Sequence, residues 1–450
     1  MNGSSSHFDI TTKGILSVSL PVSAGIFVQF IVAFIDNYFT SQVNGNAMSA
    51  VSFAGLLYIT LIMASTGLSN AAQIRVASHL GAGNRSMIHR TIGNALWMSL
   101  ILGVIQWLIY FFVLPHWVCS RIESQEVREH MVTFMKYRSF GFLFYTPLLA
   151  LQSFWSGIAK TRILAGVSLM LAGSTALLDY IFIFGWLQIP AMGVKGAAIA
   201  TVVAEVIALI CLTIYTLRNS RHHTTINANF DVRENRETAS ILKLATPIAL
   251  QQMLALGIWV IFYGFIESMG ERELQSSFIV RNMYMLCYVS VGGFSTAAKT
   301  FVAGLIAENR TQSIYRIIFK MGLLNFLCIA LLSHPLWLYP ETIAGLFSSD
   351  AMVIEMTVQT FYVVLPPMWL FAFTSISLAA VEGSGKATMG FLIELITSAL
   401  YIIVAWLMIF KWSWPIHKVW LSDYVYFLCL GLFSVLYLST GRWKNEKLLY

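Results

Sequence analysis

The chain has 450 residues, of which 57% are hydrophobic and only 11% charged, against about a quarter charged in soluble domains, and its mean hydropathy is +0.72. That balance excludes a water-soluble globular protein and makes the chain a membrane protein. The formal net charge of +7 comes from Lys and Arg scattered among loops without aromatic interleaving, so no nucleic-acid partner is expected.

A spanning helix needs about 20 mostly apolar residues, and about twelve stretches qualify. In chain order they lie close to Gly14 to Phe39, Ala47 to Ala77, Thr91 to Leu114, His130 to Gly157, Ile163 to Leu187 and Val194 to Leu217. After a polar stretch come Ile241 to Glu267, Glu273 to Gly304, Ser313 to Leu338, Ala351 to Leu378, Thr388 to Phe410 and Ile416 to Leu438. Their lengths suit helices rather than the short alternating strands of a barrel, so the expected class is an all-α membrane protein. The first stretch is too long for a signal-peptide core and lacks a small-residue cleavage site, which makes it a retained helix.

Orientation follows the Lys and Arg of the short loops. Arg85, Arg90, Lys160, Arg162, Arg218, Arg310, Arg316, Lys386 and Arg442 fall on the side of the two termini. The expectation is a multi-pass protein of the inner (plasma) membrane with both ends cytosolic. Five cysteines, Cys119, Cys211, Cys287, Cys328 and Cys429, have no paired spacing, so neither a disulfide framework nor a metal site is implied.

Arg218 to Glu237 is the longest polar stretch and has the composition of a linker, dividing the chain into a bundle at 1–217, a linker at 218–240 and a bundle at 241–450. The two halves are related. LGAGNR at Leu80 to Arg85 returns as LIAENR at Leu305 to Arg310, an offset of 225. At an offset of 226, Pro21 meets Pro247 and GIAKT from Gly157 meets GSGKA from Gly383. An even number of spans per half gives both the same orientation, hence two six-helix bundles related by a pseudo-two-fold axis along the membrane normal. Such a pair leaves the cleft that alternating access needs.

Ionisable residues at membrane depth are expensive and mark ion or substrate paths. In the first half these are Asp36, Asp179 and Glu205. Asp36 stands near the end of the first span, where a plain helix-capping role competes with an ion-binding one. Asp179 lies well inside the fifth span, with Thr175 one turn before it and Thr201 opening the next helix. Together they could form an oxygen-lined site for Na+ or a proton, with Glu205 as a further member or as a packing contact.

The offset places Phe262 opposite Asp36 and Ala405 opposite Asp179, so the acid pair has no counterpart and the ion chemistry is expected on one side only. The second half has instead Arg281, Lys299 and Glu394, with a Lys299–Glu394 ion pair as the simplest structural reading of two of them. Tyr145, Gln152, Trp155, Gln252, Met253, Trp259, Tyr284 and Tyr288 are candidate cavity linings for an amphipathic or cationic compound, because aromatic faces attract cations; Arg281 joins that set.

At this point the chain resembles the multidrug and toxic compound extrusion (MATE) family. The matching segments are the Pro21-led first helix with FIDNYFTSQVNGNAMSAVS, GLSNAAQIRVASHLGAGNR from Gly67, LLDYIFIFG from Leu177 and GVKGAAIATVVAE from Gly193, with VEGSGKATMGFLIELI from Val381 in the second half. The resemblance covers nearly the whole chain. It implies an antiporter that exports organic, often cationic, compounds on inward Na+ or H+, with Asp36 and Asp179 as the cation or proton site and no other cofactor. Thr175 stands where the family usually has Asn, which leaves the ion's identity open. Positions matching one branch's additional acids, around Ala255 and Phe371, are apolar here.

The nearest rival is a lipid-linked oligosaccharide flippase of the same broad fold group, which would want a more cationic cavity. A membrane enzyme would need a cluster such as HExxH or GxSxG, and the sequence contains neither. The chain is therefore read as no enzyme, working as a monomer among lipids on a small organic substrate.

Overall fold

The computed structural model describes residues 7–42, 45–119, 122, 124–186, 189–223 and 235–445. The first half comprises α1 (Thr12–Ser41), α2 (Gly45–Gly81), α3 (Arg85–Leu108), α4 (Leu114–Cys119), α5 (Gln125–Arg138), α6 (Gly141–Gly157), α7 (Arg162–Phe184) and α8 (Val194–His223). The second comprises α9 (Asn235–Glu267), α10 (Glu271–Ala307), α11 (Ile314–Leu338), α12 (Pro340–Gly345), α13 (Ala351–Gly383), α14 (Ala387–Trp406), α15 (Ile416–Val419) and α16 (Ser422–Ser439). Helices satisfy their own backbone groups, which is why an apolar chain of this length takes this form in hydrocarbon.

Eleven helices among the described residues are long and apolar enough to cross a membrane. The fourth stretch, His130 to Gly157, stands outside that count because it folds as α5 and α6 on either side of Ser139 and Phe140, and with it the fold has about the expected twelve. α5 carries Glu126, Arg128, Glu129, Lys136 and Arg138, while the 17 residues of α6 are uncharged. Likewise the polar residues 218–223 and 235–240 extend α8 and α9 rather than forming loop.

The chain divides into two compact units, Ala24–Ala249 and Met1–Ser23 with Leu250–Tyr450. α1 and α9 therefore each contribute to both. In the first unit α6 is buried along nearly its whole length, and small residues such as Ala50, Ala54, Ala197 and Ala198 let the helices approach closely. In the second, α10 and α13 hold the centre, and Phe262, Tyr284, Phe361 and Trp420 fill the core. The outward stripe of α3, including Trp97, Ile101 and Leu108, stays apolar and exposed, as a lipid-facing surface must. The chain before α1 is tied to the second unit: His7 N–H donates to Glu308 at 2.8 Å, and the Phe8 ring meets Phe301 edge-on at 6.0 Å.

The internal repeat is written in the backbone as well. Left-handed residues end helices at Gly83 and Asn309, and at Ala159 and Gly385. Both pairs are 226 residues apart, one more than the letter match of LGAGNR with LIAENR. The helix ends agree with this register: Asn84 N–H donates to His79 C=O at 2.9 Å, and Arg310 N–H donates to Leu305 C=O at 2.8 Å. At Gly385, φ is +84°, where an L side chain is strained by about 1–2 kcal/mol. Gly385→Ala should lower unfolding stability by about 1 kcal/mol, measured by denaturation of the purified protein in detergent.

Candidate functional site

In the first unit α1 and α7 run side by side. A Cβ at Gly25 of α1 would stand 2.8 Å from the Ser168 hydroxyl of α7, and further along Phe39 meets Phe184 edge-on with ring centroids 5.7 Å apart. Contacts in the same order along both chains make the helices parallel. Residue 36 lies eleven positions beyond Gly25 and Asp179 eleven beyond Ser168, so the two backbone positions reach the same level, about 16 Å from that crossing. The side chain of Asp36 lies outside the described residues.

Asp179 and Thr175 are both 0% exposed, while Leu177 and Tyr180 on the same helix are 58% and 52% exposed. The acid thus faces the unit's interior and the apolar residues face outward. α8 returns antiparallel to α7, touching it where Gly196 packs on the Phe182 carbonyl. Five residues on from Gly196, Thr201 comes level with residue 177, between Thr175 and Asp179. The Thr175 hydroxyl donates to Leu171 C=O at 2.8 Å and that of Thr201 to Ala197 C=O at 3.0 Å. A hydroxyl that donates to backbone keeps lone pairs free to accept a hydrogen bond from a protonated acid or face a cation. Among the described residues no cluster of His, Cys, Asp and Glu has transition-metal spacing, and such an oxygen-rich level suits a hard monovalent ion or a proton.

Glu205 belongs elsewhere. Arg138 donates to both of its oxygens, at 3.0 Å and 2.7 Å, and the guanidinium lies 3.8 Å from the Tyr58 ring centre. A carboxylate neutralised in this way does not attract a second cation, so the expectation that Glu205 joins the ion site is corrected. Gly141 makes the room: a Cβ there would overlap Arg138 and crowd the Glu205 carboxylate and the Tyr58 hydroxyl. A second buried network joins Glu237, in the first turn of α9, to Arg75 and His79 of α2 and Thr91 of α3; the Thr91 hydroxyl donates at 2.7 Å and Arg75 Nε at 3.0 Å. Sequence reasoning missed Arg75, the one Lys or Arg of its apolar run, and Arg138, which follows Lys136 at the end of α5.

The second unit is richer in buried charge than expected. Lys299 pairs with Glu382 at 2.7 Å, not with Glu394. Glu394 accepts instead from the Tyr426 hydroxyl and from Ser398 at 3.5 Å. Asp423, another acid absent from the expectations, accepts from the Tyr284 hydroxyl at 2.6 Å. At the positions opposite the acid pair, Phe262 and Ala405 are buried in the apolar core, yet ionisable chemistry is not confined to the first half.

The candidate cavity residues separate. Trp155 is buried and donates its indole N–H to Thr216 at 3.0 Å, which makes it core. Tyr145 and Gln152 are half-buried, Tyr145 against the first unit's core. In the second unit Tyr284 and the half-exposed Tyr288 line a small cavity with Met368 and Phe371. Met253 and Arg281 are exposed and Gln252 half-buried. Arg281 lies over Tyr263 at 5.8 Å and makes no ion pair among the described residues, and Trp259 stacks on Tyr263 at 5.9 Å.

A helical membrane protein with a repeated half and carboxylates at membrane depth has the form of the MATE transporters, and comparison with known proteins agrees. The MatE family model matches residues 21–181 and 247–407, two segments whose starts are 226 residues apart, the offset of the helix ends. The chain belongs to the MatE family. It is 21% identical over 447 residues to the probable multidrug resistance protein NorM of Thermotoga maritima, covering 97% of this chain and 94% of that one. The multidrug resistance protein NorM of Vibrio cholerae is 23% identical over 359 residues, with 77% and 76% covered. A solved structure described as the outward-facing conformation of a multidrug resistance MATE family transporter of the MOP superfamily superposes with a TM-score of 0.87 at 18% identity, over 95% of this chain and 96% of the other.

The Arg138–Glu205 pair provides a stability test. Arg138→Met strands a buried carboxylate and should cost about 3–5 kcal/mol, whereas the double variant Arg138→Met with Glu205→Gln should recover much of that loss. Gly141→Ala, by pushing the pair apart, should cost about 1–3 kcal/mol. Denaturation of the four proteins in one detergent measures all three.

Proposed function

We propose that the protein is a cation-coupled antiporter that exports amphipathic, cationic organic compounds by alternating access. Asp36 and Asp179 form its Na+ or proton site, with Thr175 and Thr201 supplying oxygens. The observation that carries the reading is the shared level of positions 36, 175, 179 and 201 on α1, α7 and α8, with Asp179 wholly buried. Membership of the MatE family and the multidrug-resistance names of the NorM relatives support the substrate class.

The protein sits in the plasma membrane as a monomer with both ends cytosolic, a reading supported by the side on which the short-loop Lys and Arg gather. The 1–217 and 241–450 bundles move as the alternating halves. Aromatic surfaces such as Tyr145, Tyr284 and Tyr288 present faces to a cationic compound, and no catalytic cluster is needed for the work.

Ion binding drives export only if the ion prefers one conformational state. Replacing Asp179 by Asn keeps the shape and removes the charge. In proteoliposomes energised separately by a Na+ gradient and by a pH gradient, the native protein should expel a cationic dye under one of them. Asp36→Asn and Asp179→Asn should each fall to the passive leak under that same gradient. Native efflux rates in both variants would exclude the pair as the coupling site.

A further inference from the structure

The second unit contains a buried acid that its ion pairs leave over. Lys299 is matched to Glu382 at 2.7 Å, and these two cancel. Glu394, on α14 and only 3% exposed, adds one further negative charge to the same interior. Its hydrogen-bond partners among the described residues are hydroxyls alone: Tyr426 from α16 and Ser398 one turn along its own helix. A lone ionised carboxylate in such a place costs several kcal/mol, while the neutral acid costs far less. Hydroxyls can donate to the charged form or accept from the neutral one, so the surroundings accommodate both.

A second observation points the same way. The side-chain oxygen of Gln251 on α9 is buried, the residue being 8% exposed, and it has no hydrogen-bond donor among the described residues. It lies against Gly390, one turn before Glu394 on α14: a Cβ there would stand 3.7 Å from that oxygen and 3.1 Å from Glu382 Cγ. The hydroxyl of Thr397, also wholly buried, is likewise without a partner among those residues. Buried acceptors left open in this way call for a donor, and the O–H of a protonated carboxyl in this cluster is one.

We infer that Glu394 is a proton-binding residue of the second unit, taking a proton from the aqueous phase and releasing it during the protein's working cycle. The groups facing it are Glu382 of α13 with its partner Lys299 of α10, Tyr426 of α16, and Tyr288 of α10, whose electrostatic neighbours are Glu394 and Glu382. Lys386, at the start of α14, is about 12 Å away along the helix. Tyr288 also lines the small cavity, and the Tyr426 ring packs on Phe427 and through it on Phe371 of the cavity wall. Loss of the Glu394 charge is thus felt at the wall of that small cavity. Proton binding here is separate from the coupling role given to Asp36 and Asp179, and the test needs no transport.

Infrared difference spectra of the purified protein in lipid nanodiscs, recorded across a pH series, detect protonated carboxyl groups directly. A carbonyl component should appear as pH falls in the native protein, vanish in Glu394→Gln and persist in Asp179→Asn. Tyr426→Phe removes a donor from the carboxylate and should move that component's midpoint upward by about one pH unit. A native titration retained in Glu394→Gln overturns the assignment, as does a midpoint left in place by Tyr426→Phe. If Glu394→Gln fails to fold, the Tyr426 variant decides alone.

Discussion

A charge taken from water into hydrocarbon costs at least about 2.5–3.5 kcal/mol, and the interior of this protein is arranged around that penalty. Glu205 is held between both arms of Arg138, Glu382 is matched to Lys299, and Glu237 is held by Arg75 and Thr91. Each pair ties together helices far apart in sequence, and each base has its acid within hydrogen-bonding distance. Around these pins, small residues and aromatic rings supply the packing that apolar faces cannot obtain from the hydrophobic effect in lipid.

Against that background the burial of a further acid acquires meaning. Asp179 is turned inward on a helix whose other face is apolar and exposed, level with position 36 of the neighbouring α1. α1 is also the helix whose beginning belongs to the second unit: Ser23 donates to Ser290 C=O at 3.5 Å, and Gly293 packs against Ser19 and Ser23. A change at position 36 is therefore a change in a helix whose other end is built into the opposite unit. Coupling between ion and substrate needs a physical element biased by both, and α1 is a continuous candidate.

Much of the fold was legible in the sequence because hydrophobic length is a direct physical requirement of the bilayer. The spans, the repeat and the acids at 36 and 179 all follow from it. Arg138 reads in the sequence as a residue within one stretch, whereas α5 ends at Arg138 and its guanidinium meets Glu205 of α8. Apolarity alone ends the tenth span at Leu378, while α13 runs on to Gly383, so the sequence leaves Glu382 outside the span and offers Glu394 as the acid for Lys299. Asp423 stands in the first turn of α16, where it reads as an ordinary helix start, and only the fold shows Tyr284 donating to it. Which partner a buried charge chooses depends on helix adjacency, and hydropathy carries no information about that.

The central claim is that ion occupancy at Asp179 changes the affinity for the exported compound. It is tested most directly by equilibrium binding of a fluorescent organic cation to the purified protein, with and without Na+ and at two pH values, in the native form and in Asp179→Asn. The account predicts that one of the two ions weakens binding to the native protein by about tenfold, within the usual range of coupling between sites, and has no effect on the variant. An equal ion effect in Asp179→Asn would contradict it.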